Sequence, residues 1–108
     1  MAYGRKQVKF EVAVAFDKRV VSEDFGARVT DVVGIEPTWD SRTSHHERGP
    51  ESKETLEWKL RGVSVQQVRS MLKKLRAAFP GPEVQAYGTR IVVKPDFTIE
   101  STTSVDPA

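Results

Sequence analysis

Hydrophobic side chains recur at every second position in two stretches of the chain, and this pattern predicts half-buried strands. Apolar residues alternate with charged residues or alanines over residues 8–16. The same alternation runs over residues 56–60, where every intervening residue is charged. Because these two stretches have the clearest patterns, we predict that they form the central pair of one sheet.

Two further stretches follow the helical period and predict amphipathic helices. The first covers residues 22–33, with a serine cap at its start and Gly34 as a left-handed cap at its end. The second begins after Ser64, which forms a capping box with Gln67, and ends before a Pro-Gly-Pro run. Its buried stripe is predicted to contain Val65, Val68, Met71, Leu72, Leu75 and Phe79.

Two segments leave alternatives open. Residues 38–54 contain one large apolar side chain, Trp39, so they form either an edge strand over residues 38–47 and a loop, or a mobile excursion. Strand-like residues flank the Gly88-Thr89 pair, which is therefore either the turn of a hairpin or a bulge within one strand.

The end of the chain differs in composition from the rest. Residues 98–108 are mostly Thr, Ser, Glu and Asp. We predict that they form a flexible C-terminal tail after a single domain over residues 1–97.

The order strand, helix, strand, strand, helix, strand predicts an α+β fold. We expect a ferredoxin-like βαββαβ sandwich, with one mainly antiparallel sheet and two helices on one face. The open face is expected to be wet and to lack aromatic rings on its central strands, which disfavours RNA recognition by base stacking. The residues expected there are Lys9, Glu11, Ala13, Ala15, Glu57 and Lys59.

The composition argues against several kinds of binding and catalysis. The 108 residues contain no cysteine, which removes disulfides, thiolate catalysis and thiolate metal sites. The net charge of +2 is a weak field for capturing a polyanion. No apolar run approaches the ~20 residues of a membrane span, and the polar start resembles no signal peptide, so we expect a cytoplasmic protein without membrane contact.

Neither metal binding nor catalysis is indicated by the sequence. The two histidines, His45 and His46, are adjacent and point in different directions, so they cannot easily bind one ion. Nucleophile elbows, phosphate-binding loops and dinucleotide-binding glycine motifs are absent from the sequence. We therefore expect a protein that is not an enzyme and has no cofactor.

Two candidate contact surfaces remain. The second helix carries four cations and has no acidic residue between Ser64 and Phe79, although basic residues also complement the end of a helix. These cations are Arg69, Lys73, Lys74 and Arg76. The polar excursion contributes Trp39, Arg42, His45, His46 and Arg48. Tyr87 and Phe97 could also anchor a partner if they are exposed.

Two short motifs carry a family resemblance. A Gly-Ile-Glu-Pro-Thr turn at residues 34–38 follows the first helix, and a Trp-Lys-Leu strand at residues 58–60 precedes the second. Over residues 8–95 the chain resembles a family of small bacterial and phage α+β domains of unknown function. It departs from that family in its long loop around Gly49 and in how closely the second helix follows the strand. The resemblance implies the fold order and no catalytic residues.

These observations favour a non-enzymatic protein–protein interaction module, such as a phage or bacterial accessory or inhibitor protein. The alternative is a small nucleic-acid-binding protein that uses the basic face of the second helix. The partner's identity is not indicated by the sequence. An edge strand could also pair two copies of the chain as a homodimer.

Overall fold

The computed structural model describes residues 6–17, 19–37, 39–41 and 53–107. In this part of the chain, two helices accompany one antiparallel sheet of five strands in the order β2-β3-β1-β4-β5. The elements are β1 (Gln7–Asp17), α1 (Phe25–Val33), β2 (Trp39–Ser41), β3 (Lys53–Arg61), α2 (Val65–Ala78), β4 (Val84–Val93) and β5 (Ile99–Val105). The predicted α+β class is confirmed.

Strand β1 lies at the centre of the sheet. It pairs with β3 along one edge and with β4 along the other. Its inward-facing Val12 and Val14 are fully buried, as the alternating pattern predicts. The predicted pairing of the two clearest strands is therefore confirmed, and β4 is an equally close neighbour of β1.

Both helices cover the same face of this sheet. Phe25 of α1 joins them, because its ring centroid is 4.8 Å from Phe16 of β1 and 4.8 Å from Phe79 at the end of α2. The buried cluster between the layers contains Phe10, Val12, Val14, Phe16, Phe25, Val29, Leu56, Trp58, Leu60, Val68, Leu72, Leu75, Ala86 and Val105. Since one cluster contains residues of both helices, the predicted placement of the helices is confirmed.

The two helices begin in different ways. At α2 the Ser64 hydroxyl accepts a hydrogen bond from the Gln67 N–H at 3.2 Å, and the Gln67 side chain accepts one from the Ser64 N–H at 2.7 Å. The predicted capping box is thus confirmed. Helix α1 begins at Phe25, later than predicted, because the Ser22 hydroxyl donates to the Asp24 carboxylate at 2.6 Å and makes no cap to a helix N–H. Gly34 ends α1 at a φ of 80°, as predicted.

Gly88 lies within one continuous strand, so the alternative of a single strand is confirmed, and the hairpin turn and the bulge predicted there are wrong. The pairing of β4 with β1 passes through Gly88 without a register shift. A Cβ atom at this position would lie 3.0 Å from Leu72 Cδ1 and 3.3 Å from Val68 Cγ1. The glycine is therefore explained by the close approach of α2 to the sheet.

The edges of the sheet correct two expectations. Residues 99–105 form β5 beside β4, in contrast to the loose tail predicted over residues 98–108. A run of Thr and Ser fits an edge strand with two exposed faces, and that composition hides the alternation seen in half-buried strands. Because of β5, the sheet does not match the predicted βαββαβ arrangement in full. At the other edge, β2 is the described part of the predicted 38–47 strand.

Trp58 links the two motifs that carry the family resemblance. Its side chain is fully buried, and its indole N–H donates to the Ile35 carbonyl at 2.8 Å. Buried indoles normally need such a partner. This bond fixes the turn after α1 against β3.

Candidate interaction surfaces

The four cations of α2 do not form one free surface. Arg76 donates from Nε and Nη2 to the Ala86 carbonyl of β4, at 3.3 Å and 3.0 Å. Arg69 is half-buried. Lys73 and Lys74 are exposed. Of the four predicted contact residues, Arg76 is therefore bonded to the sheet although exposed, Arg69 is half-buried, and Lys73 and Lys74 are exposed.

The second predicted surface, the polar excursion, falls almost wholly outside the described residues. The backbone of Trp39 belongs to β2. Its side chain, and Arg42, His45, His46 and Arg48, lie outside the part of the chain that the structure describes. Their contribution to binding stays a prediction.

The open face of the sheet carries the six residues expected there. Glu11 lies opposite Lys59 across the β1–β3 pair, an opposite-charge pairing that stabilises neighbouring strands. Ala13 lies opposite Glu57 in the same register. Cations and carboxylates thus alternate over β1 and β3, and neither strand presents an aromatic ring to this side.

The open face as a whole nevertheless bears an aromatic ring, because β4 contributes to it. Tyr87 lies opposite Ala13 and is 48% exposed. Ile91 and Val93 of β4 share that face and are buried. The expectation of a face without rings rests on β1 and β3 alone. It fails because the Gly88-Thr89 pair resembles a turn in the sequence, so the pattern does not show that β4 is one strand that places Tyr87 on this face.

A short turn joins β4 to β5, and we call residues 94–99 the hairpin tip. The Phe97 N–H donates to the Lys94 carbonyl at 2.9 Å, and the Lys94 N–H donates to the Thr98 carbonyl at 2.9 Å. The Asp96 carboxylate accepts from the Thr98 hydroxyl at 2.7 Å and from the Thr98 N–H at 3.1 Å. Pro95 and Asp96 are typical of the central positions of such a turn.

Phe97 occupies the position in this turn that glycine usually takes. Its φ is 68°, and it is the one non-glycine residue with positive φ in the described chain. Its side chain is 77% exposed, and Ile99 beside it is 62% exposed. Left-handed backbone is disfavoured for any residue with a Cβ atom, and an exposed ring gains little burial in return.

The sequence contains a signal for this hairpin that hydrophobic periodicity does not reveal. A Pro-Asp pair between two runs rich in β-branched residues predicts a turn, most clearly when glycine follows. Here phenylalanine follows, and the turn pattern is therefore incomplete. The exposure that would make Phe97 an anchor is present in the structure. Ile99, which the composition places in a tail, is an exposed residue that the sequence prediction missed.

Two carboxyl groups at turns have shifted pKa values. The hydrogen bond from the Ser22 hydroxyl is the main cause that lowers the pKa of Asp24 below its usual value of 3.8. The hydrogen bonds from the Thr98 hydroxyl and N–H lower the pKa of Asp96 in the same direction. Both shifts arise because hydrogen bonds favour the ionised form of the carboxylate.

The described residues contain no group of three or more acidic or histidine side chains that could hold a metal ion. Neither α1 nor α2 is long and apolar enough to cross a membrane. Comparison of the chain with known proteins found no matching family model, no matching curated protein and no matching solved structure.

Proposed function

We propose that the protein is a non-catalytic domain that binds another protein through the hairpin tip. The observation that carries the proposal is Phe97, which combines an exposed ring with a left-handed backbone. Residues held in disfavoured backbone conformations cluster at functional sites, where the surrounding structure maintains them at a cost. Aromatic side chains are also the most frequent anchors of protein interfaces.

The surroundings of Phe97 resemble a small interface patch. Ile99 extends the apolar surface, and it lies opposite Val93 across the β4–β5 pair. Polar groups surround this centre, among them the exposed Lys94 and the Lys6–Glu100 ion pair at 2.6 Å. An apolar centre with a polar rim is typical of binding sites for proteins. The fitting partner has an apolar pocket for the ring and acidic residues that face Lys94.

The alternative, nucleic-acid binding by α2, has weaker support from the geometry. Arg76 already donates to the Ala86 carbonyl, and Arg69 is half-buried. Phosphate contacts strengthen as salt falls, so binding should be measured from about 200 mM down to about 50 mM salt. We expect no affinity for DNA or RNA at the low end. Affinity that disappears in a Lys73→Gln, Lys74→Gln double variant would favour the alternative.

The fold itself is proposed to be a ferredoxin-like sandwich extended by one edge strand. Support comes from the strand order, in which β3 lies between β1 and β2, and β1 lies between β3 and β4. That arrangement is the split βαβ pattern of the ferredoxin-like fold. The bacterial or phage family and the cytoplasmic location stay predictions.

Site-specific photocrosslinking tests the proposed function. A photoreactive phenylalanine analogue at position 97 keeps the ring in place, and the same analogue at Val20 is the matched control. Val20 is also a large exposed apolar residue. It follows the C-terminal end of β1, whereas the hairpin tip lies beside the N-terminal end of that strand. In lysate of the native host, we expect one discrete crosslinked protein from position 97 and none from position 20.

Competition separates a specific partner from incidental contact. Addition of unlabelled wild-type protein should remove the crosslink, whereas addition of the Phe97→Gly variant should not. A crosslink between two copies of the chain would identify the partner as the chain itself. Equal crosslinking from positions 97 and 20, or competition by Phe97→Gly as strong as by wild type, would contradict the proposal.

A further inference from the structure

A groove of about 550 Å³ lies where the start of α2 passes over β1, β4 and β5. Two guanidinium-bearing residues line it, Arg69 from α2 and Arg90 from β4. The hydroxyl-bearing Thr103 of β5 lines it as well, and its apolar wall includes Phe10, Val63 and Val65. Its volume falls in the range of ~300–1000 Å³ found for small-ligand sites.

The sheet register fixes how these groups are arranged. Arg90 lies directly opposite Phe10 on one side and Thr103 on the other. Directly opposite residues of antiparallel strands share a face, so an apolar ring, a cation and a hydroxyl stand in one row beneath α2. The row is built on three paired strands, which gives the site a rigid floor.

Arg69 supplies a second and independent observation. Its Nε atom is buried and has no hydrogen-bond partner among the described residues. Buried nitrogen donors are nearly always bonded, so an unbonded one calls for an explanation. Arg69 lines the wall of the groove, so a rotation of its side chain toward a bound acceptor would give this buried donor a partner.

The charges of the groove point to an anion. Two cationic side chains line it, and no carboxylate is among its lining residues in the described chain. Like charges that share a partly apolar site repel one another, and a bound anion removes that repulsion. The planar guanidinium matches the two oxygens of a carboxylate, with which it forms paired hydrogen bonds.

We propose that this groove binds a terminal carboxylate attached to an apolar group. The carboxylate would pair with Arg69 and Arg90, and the apolar group would lie against Phe10, Val63 and Val65. Such a carboxylate belongs either to a small free acid or to the C-terminus of a polypeptide whose last residue is apolar. The inference goes beyond the proposed function and is independent of it, because no residue of the hairpin tip lines the groove.

Titration of the full-length, isotope-labelled protein with octanoate tests the site by amide chemical shifts. We expect saturable shifts at the groove residues, and ~10-fold or weaker binding of octanol, which lacks the charge. Acetate and inorganic phosphate, which lack the apolar group, should also bind at least ~10-fold more weakly. Octanol affinity equal to that of octanoate, or the absence of saturable shifts, would overturn the proposal.

Variants assign the binding to the two arginines. Arg90→Gln changes an exposed residue, so the fold should persist, and it should weaken octanoate binding by ~10-fold. Arg69→Gln should have a similar effect if thermal unfolding shows that the variant folds. Lys74→Gln is the matched control, because it removes an exposed cation of α2 that does not line the groove. Unchanged affinity in Arg90→Gln would overturn the proposal.

A peptide that ends in leucine distinguishes the two sources of the carboxylate. Tighter binding of this peptide than of octanoate would assign the site to a polypeptide C-terminus, and weaker binding would assign it to a small acid. The amidated form of the same peptide lacks the anion and should bind at least ~10-fold more weakly than the free acid. Equal binding of the two forms would contradict the assigned role of the arginines.

Discussion

Gly88 is the residue at which α2 comes closest to the sheet. The 3.0 Å and 3.3 Å distances from its built Cβ position to Leu72 and Val68 leave no room for a branched side chain. Both neighbours are fully buried, so they cannot turn out toward solvent. The close packing of α2 on β4 therefore depends on a missing side chain.

A Gly88→Val variant tests this dependence. We expect a loss of roughly 1–3 kcal/mol in the free energy of unfolding, because the added atoms overpack the contact between α2 and β4. The loss should be smaller when Gly88→Val is introduced into a Leu72→Ala background, which provides space. Urea unfolding of the wild type, the two single variants and the double variant measures both effects. An equal loss in the two backgrounds would show that backbone conformation, and not the helix, requires glycine.

Phe97 is a residue at which glycine should relieve backbone strain and alanine should not. We expect Phe97→Gly to be about 1 kcal/mol more stable than Phe97→Ala, because only glycine adopts a φ of 68° without steric cost. Both substitutions remove the exposed ring, so their difference isolates the backbone term. Thermal unfolding of the two variants measures it. Equal stabilities would mean that the left-handed turn carries no strain, and the main support for the proposed function would be lost.

At the scale of elements, the two helices begin in different ways, so we expect a serine-to-alanine substitution to change stability by different amounts at the two starts. Ser64→Ala should destabilise the protein by about 1 kcal/mol, because it removes the acceptor for the Gln67 N–H. Ser22→Ala should cost less, since the Ser22 hydroxyl donates to Asp24 outside the helix. Urea unfolding of the two variants provides the comparison. A larger loss for Ser22→Ala would contradict the observed start of α1.

The hydrogen bonds of Asp96 in the hairpin tip should make the stability of the protein depend on pH. Because Thr98 lowers the pKa of Asp96 in the folded state, the stability that Asp96 contributes is present above its usual pKa of 3.8. That stability is lost as the pH falls through the lowered folded-state pKa. In Thr98→Val the pKa of Asp96 should rise toward its usual value, since the main hydrogen bond is removed. Carboxyl NMR titration measures this change, and Thr103→Val should leave the pKa of Asp96 where it is in wild type.

Helices and strands can be predicted from the sequence where one face is buried and the other is exposed to solvent. Strands β1 and β3 and helix α2 have that property, and their periodicity reveals them. Strand β4 is harder to predict as one element, because a glycine in a strand-like segment usually indicates a turn. Only the close packing of α2 explains why Gly88 lies within the strand. Strand β5 escapes prediction because an edge strand with exposed faces shows no alternation apart from Val105. In both cases the decisive information is a tertiary contact, of Gly88 with α2 and of Val105 with the core.

At the scale of the whole molecule, the last strand completes the core. Val105 is buried in the same cluster as residues of β1 and α2. We expect Val105→Ala to destabilise the protein by roughly 1–3 kcal/mol, because it removes buried methyl groups and leaves a cavity. Ser104→Ala, one residue earlier and exposed, should change stability by less than about 0.5 kcal/mol. If Val105→Ala and Ser104→Ala both left the free energy of unfolding unchanged, residues 98–108 would be a loose tail, as the sequence predicts.

The candidate surfaces are harder to predict than the architecture. The prediction of a basic face rests on the cations of the second helix and on the absence of acidic residues between Ser64 and Phe79. Which of these side chains bonds to the sheet depends on the carbonyls that lie beneath the helix, and here Ala86 provides one. The hairpin tip depends on a backbone angle at Phe97. Neither feature has a signature in the periodicity of hydrophobic residues.

The strand order has a consequence for the rate at which the chain folds. The central strand comes near the start of the sequence, yet one of its two partners, β4, comes near the end, with Gln7 opposite Val93. Closing so long a loop carries an entropic cost before any contact is gained, and topologies rich in such distant pairings fold slowly. We therefore expect millisecond or slower folding, with the meeting of the two ends of the chain, rather than helix formation, as the rate-limiting event.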